Sequence, residues 1–205
     1  MTTEPLAAAP VVDIELGLRV RALARDTGPA AALAELHSAL GAGWGPGGHT
    51  LLPRSAPDPS DAVLLLTLAV DSGDVGVWLD ERERDGDAGP WSLGVAWIRV
   101  GLAERLLRLA TAYVSGRKRG SQPLSSVSAV GVMIGDAAGN LAEANLLLEH
   151  DGEAGLPRAI TAVADAQRTS LRMLGASGFL DEEPGRLGRA IDLLGDIFHT
   201  SEVGS

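Results

Sequence analysis

Residues 91–116 read WSLGVAWIRVGLAERLLRLATAYVSG. Apolar side chains recur at helical spacing through Leu93, Trp97, Val100, Leu106, Leu107, Ala110 and Tyr113. That period predicts one long helix. Pro90 opens it, and the breaker-rich GRKRGSQP at 116–123 ends it. Glu104 and Arg108 stand at i,i+4 spacing, as an ion pair along the helix would. Three more helical segments follow. Leu124–Glu149 is ended by DGEAG, Leu156–Leu174 is stopped by GASG at 175–178, and the last runs from Pro184 to Phe198. The GASG turn reads as a helix C-cap with Gly178 in positive φ. Four helices on short connections predict an antiparallel four-helix bundle.

Upstream the pattern is different. Two short helices are expected around Ile14–Leu23 and Ala30–Leu40, parted by the turn DTGP at 26–29 with Pro29 at the first helical position. The Gly- and Pro-dense stretch 41–61 reads as a loop or collapsed linker. Then AVLLLTLAV (62–70) and VGVWL (75–79) flank a DSGD turn. They read as a β-hairpin, though the first run alone also suits a buried helix. The expected organisation is 1–61 as a frayed tail (1–12), short helices and a loop; 62–90 as a hairpin and an acidic loop; and 91–205 as the bundle. The fold class is mainly α.

Composition excludes several functions. Aromatics are only 3% of the chain, so the core must be mostly Ala, Leu and Val, of which Ala and Leu favour helix. A net charge of −10 lacks the basic footprint of a nucleic-acid binder and repels an anionic membrane. There is no cysteine, hence no disulfide, thiolate nucleophile or Cys-ligated zinc. No two of His37, His49, His150 and His199 are four residues apart, so no metal site is expected. The N-terminal MTTEPLAAAPVVDIELG has no basic segment ahead of an apolar run, and no stretch is long and apolar enough to span a bilayer. A soluble, cytoplasmic protein is expected.

Spaced landmarks over about 60–205 resemble the C-terminal domain of the acyl-CoA dehydrogenases. That family ends its first bundle helix in Y-x-x-x-R-x-x-F-G-x-P-L, followed by F-Q and L-A-D. Here YVSGRKRGSQPLSSVSAVGVMIGD places Tyr113, Arg117, Pro123, Leu124 and Asp136 in register. The family turn L-G-G-x-G-[YF] is matched by LGASGFL, at Leu174, Gly175, Gly178 and Phe179. Arg189 matches a later arginine, and HTSE (His199–Glu202) is similar to the closing G-T-S-E. The segment 62–80 resembles the last strands of the family's middle β-domain.

The resemblance implies an FAD half-site at a subunit interface, formed here by Arg117, Ser128, Gly175, Ala176 and Gly178. Three of its elements are altered. The aromatic of R-x-x-F-G becomes Gly120, the glutamine becomes Ser128, and the second glycine of the turn becomes Ala176. FAD is therefore expected weakly, or only with a partner subunit. The family's catalytic carboxylate is also missing. One family position for it falls on Trp91 and the other within Ile197–Thr200. That leaves His199 as a substitute base, with an ordinary pKa near 6.5. Three functions stay open: a shortened non-catalytic subunit, as a homo-oligomer or a hetero-oligomer with a full-length acyl-CoA or acyl-carrier-protein dehydrogenase; an active FAD enzyme with an atypical base; or a flavin-free protein for binding or isomerisation.

Overall fold

The computed structural model describes residues 12–70, 73–83, 88–179 and 183–199. The expected tail lies outside these residues except for Val12, as do 84–87 of the acidic loop and Thr200–Glu202 of the closing motif.

Two helices come first, Ile14–Asp26 (α1) and Pro29–Leu40 (α2). The Asp13 side chain caps α1, accepting from the Leu16 N–H at 2.7 Å. Pro29 is the first residue of α2, as expected, and Gly41 at φ 77° ends it. Strands His49–Pro53 (β1), Val63–Leu68 (β2) and Val75–Leu79 (β3) follow, then the long helix Gly89–Gly116 (α3). A two-residue ladder, Lys118–Arg119 (β4) with Gln122–Pro123 (β5), leads to Ser128–His150 (α4), Leu156–Leu174 (α5) and Glu183–Phe198 (α6). The expected four-helix bundle is α3 to α6.

The α3 helix is the hub. Over 91–103 its buried residues include Trp91, Leu93, Ala96, Trp97, Ile98, Val100 and Leu102, which point in every direction around its axis. A helix apolar all round must be surrounded, and α1, α4, α5 and α6 surround it. The α1 contact is the closest. A Cβ on Gly101 would drive into the Arg21 carbonyl and meet Ala24 Cβ at 2.9 Å.

The structure corrects the expected layout in four places. First, HTLLP inside the supposed loop is β1, so the hairpin is a three-stranded antiparallel sheet in the order β1-β3-β2. Leu51 and Leu52 are buried between clusters of Gly and Pro that masked a strand only five residues long. The division expected between 61 and 62 thus falls within the sheet. Second, α4 begins at Ser128. The residues Leu124–Ser126 form a 3-10 turn in which the Ser126 hydroxyl donates to the Pro123 carbonyl at 2.7 Å. Third, Gly175, not Gly178, takes positive φ (58°) at the end of α5; Gly178 is buried under Leu171. Fourth, Glu104 does not pair with Arg108. It binds Arg21 across to α1, while Arg108 reaches the Arg25 carbonyl and Asp26.

Gly101→Ala should force α1 off α3 and lower stability by about 1–3 kcal/mol through overpacking. Gly139→Ala is the control, because a Cβ there meets nothing. It should be neutral or stabilising by roughly 0.5–1 kcal/mol. Urea midpoints of the two variants check this, and equal midpoints would refute it.

Candidate functional site

Arg99 on α3 is buried, at 5% exposure. It lies against Gly195 of α6, where a Cβ would come within 2.9 Å of its Cζ. Its Nη1 lies 2.8 Å from His199 Nδ1. An arginine only donates, so Nδ1 is the acceptor. The proton of the imidazole is then on Nε2, which lies 2.8 Å from the Ser92 carbonyl and donates to it. The Ser92 hydroxyl closes the ring by donating to the Phe198 carbonyl at 3.2 Å. Burial, above all, pushes the His199 pKa down to about 4; the Arg99 charge adds to this and the Ser92 bond opposes it. Burial also lowers the Arg99 pKa, while Asp192 and Asp196 counter it.

His199 is therefore a neutral clamp between α3 and α6, not a frayed helix end. What fixes it is a buried guanidinium one hundred residues upstream that needs an acceptor. The clamp also bears on base chemistry. One ring nitrogen has its lone pair occupied by Arg99, and the other carries the proton. No lone pair is left to take a proton from a substrate.

Trp91, one position at which the resemblance implies a carboxylate, meets Phe198, which lies within the other stretch, Ile197–Thr200. Trp91 and Phe198 are both buried and stack with centroids 5.5 Å apart and planes 17° from parallel. Trp97 is fully buried against Gly17 of α1, and Trp78 is buried in the sheet, so all three tryptophans of this region are core.

The residues carried over for FAD are partly gathered. Arg117 is exposed and sits 4.5 Å over the Tyr113 ring. The Tyr113 hydroxyl is 3.2 Å from Ser177 Oγ, within the turn Gly175–Phe179. Arg117 and the Gly175–Gly178 turn thus share one corner, with Ala176 exposed on it. Ser128 stands exposed as the first residue of α4. Ser177, which ties the corner together, was not singled out in the sequence, because only the fold brings it to Tyr113. Among the described residues no group of acids and histidines could hold a metal ion, and no helix is long and apolar enough to cross a membrane.

No protein-family model matches this sequence, and no curated protein does. Solved structures do. The ChsE4-ChsE5 complex from Mycobacterium tuberculosis is 17% identical with a TM-score of 0.51, over 87% of this chain and 69% of that one. Glutaryl-coenzyme A dehydrogenase is 20% identical with a TM-score of 0.48, over 65% of this chain and 42% of its own. An acyl-CoA dehydrogenase from Geobacillus kaustophilus is 15% identical with a TM-score of 0.48, over 74% and 45%. The chain spans less than half the length of these last two. The likeness establishes the fold: a bundle of acyl-CoA dehydrogenase type with a small β remnant.

The clamp makes stability depend on pH. Folded His199 has a pKa of about 4, against roughly 6.5 in the unfolded chain. Between these values the unfolded chain holds a proton that the folded chain does not, so stability rises with pH. The contribution is complete above about pH 6.5 and is lost as pH falls toward 4, up to about 3 kcal/mol. His199→Ala should be less stable at pH 7, with Arg99 left without its acceptor, and should lack this increment. Parallel pH profiles of urea midpoints for the two proteins would refute it.

Proposed function

We propose that this chain is a non-catalytic subunit of acyl-CoA dehydrogenase type. On this reading it assembles in the cytoplasm with a full-length FAD-dependent dehydrogenase acting on an acyl-CoA or acyl-carrier-protein thioester. The observation that carries it is the Trp91–Phe198 stack. Dehydrogenation of an acyl thioester needs a base at the α-carbon. Where the family resemblance puts a carboxylate, this chain has two aromatic rings closed on each other, and the histidine beside them has no lone pair to offer.

Two uncovered surfaces support a partner. On β2, at the edge of the sheet, Val63, Leu64, Leu65 and Leu66 are between 37% and 61% exposed. Native edge strands are normally protected by charge, proline or a covering element. On α4, Val132 is 60% exposed, and Gly131, Gly135 and Gly139 have open space where a Cβ would stand. Small residues in such a row admit a close helix. One solved structure of this fold is itself the ChsE4-ChsE5 complex.

The residues present suit one end of FAD. On this reading Arg117, exposed beside the Gly175–Gly178 turn, meets the pyrophosphate. The closed aromatic stack gives the flavin ring no seat beside a base in this chain alone. FAD on this reading belongs to the shared interface, where it supplies the hydride acceptor, and Arg117 of this chain neutralises part of its charge.

Coexpression with a full-length dehydrogenase from the same genome should give one complex by size-exclusion chromatography with light scattering. Leu65→Lys with Leu66→Lys should dissociate it. Arg117→Ala should weaken the complex or its flavin by about 1.5–3 kcal/mol, the scale of a charge-assisted hydrogen bond. The chain alone, given FAD, an electron acceptor and a panel of acyl-CoAs, should show no turnover. Turnover by the chain alone would overturn the proposal, as would a monodisperse 21.1 kDa monomer in the presence of the dehydrogenase.

A further inference from the structure

The strand β2 reads VLLLTL, with no charge, proline or glycine in it. Its neighbours β1 and β3 are buried through Leu51, Leu52, Val75, Val77 and Trp78, whereas every residue from Val63 to Thr67 is exposed. β2 pairs with β3 alone, so among the described residues no strand lies along its other edge. Native edges of this kind carry charge or proline, or lie under another element. The one protective device in β2 is a bulge at Leu65, where the register to β3 shifts.

Both faces of β2 are open as well as its edge. Val63 and Leu64 stand opposite Leu79 and Trp78 at successive ladder positions, so their side chains leave opposite faces, and both are exposed, at 61% and 37%. Leu66 and Thr67, opposite Val77 and Gly76, repeat this beyond the bulge. A helix laid on the sheet covers one face only. A strand set alongside pairs with the free N–H and C=O groups and extends both faces, because its own side chains alternate.

The surroundings set the charge of that strand. Residues 54–83 hold seven acids and two arginines. The arginines are committed, Arg54 to Asp58 and Arg82 to Asp61 and Asp80. Exposed Asp61 lies just before β2, and exposed Asp74 lies at the other end, next to Val75, which pairs with Leu68. A second copy of β2 laid antiparallel would bring Asp61 of each chain to the Asp74 end of the other, between molecules of net charge −10. Like charges oppose that pairing.

We propose that the sheet is continued at β2 by a strand from a different protein, apolar at its centre and carrying lysine or arginine at both ends. The inference rests on the reading of this chain as one subunit of an assembly, and it states how the contact at β2 is made.

Titration of the whole chain with three synthetic peptides, KKVTVIVTKK, DDVTVIVTDD and KKVTPIPTKK, tests this. The first should bind at one per chain, and its isotope-labelled carbonyls should move to strand frequencies in the infrared. The second keeps the apolar centre and reverses the flanking charge; it should bind roughly tenfold more weakly, the scale of several exposed ion pairs together. The third keeps the charge but loses backbone donors and strand geometry, and it should not bind. Leu65→Lys with Leu66→Lys should abolish binding of the first peptide with an unchanged circular dichroism spectrum, since both side chains are exposed. The comparison of peptides on the unaltered chain decides the matter even if that variant misfolds. No dehydrogenase is present in the titration, so this inference and the subunit reading can fail separately. Acidic or proline peptide binding as tightly as the first, no stoichiometric binding of the first, or a dimer of the chain alone that the double lysine variant splits would each overturn the proposal.

Discussion

A helix buried on every side exists in water only when every side is covered, and the first half of α3, residues 91–103, imposes that condition on the molecule. Its neighbours are arranged around it: α1 and α6 against its glycine-lined and Arg99 faces, α4 and α5 closing the bundle. Arg99 adds a second demand inside the first. A guanidinium taken out of water must be given acceptors, and the acceptor comes from His199 just past α6. Packing of α6 and placement of His199 are thus coupled, and the Trp91–Phe198 stack lies beside them.

Most of the bundle was legible in the sequence because period and punctuation agreed. Leu156–Leu174 carries a strong apolar stripe with Pro157 in its first turn and Gly175 after its last residue, and α5 has those limits. Pro29 and Pro184 marked helix starts for the same reason. What remained hidden was short or non-local. β1 is five residues between breakers, too brief for a period to show. Glu104 had a suitable partner at Arg108 within its own helix, and the cross-helix bond to Arg21 depends on α1 running beside α3 at a glycine's distance. His199 looked like any histidine near a helix end; only burial of Arg99 changes its meaning.

The candidate site divides along the same line. Residue types missing from a pattern can be read directly, so the absence of a carboxylate at Trp91 and at Ile197–Thr200 was visible in the sequence. What occupies the vacated positions was not. The structure shows Trp91 and Phe198 packed against each other in the core. The Arg117 corner lies between these extremes: its cation and its turn were both in register, and their contact through Tyr113 and Ser177 belongs to the fold.

The Arg99–His199 bond joins residues one hundred positions apart. On a ribosome, α3 emerges long before α6 exists. Until then Arg99 must stay hydrated, and the apolar ring of α3 can be only partly enclosed. Closing so distant a contact is slow compared with forming helices. The nascent chain therefore passes through a stage with helices made and the bundle unsealed, the kind of species that chaperones capture.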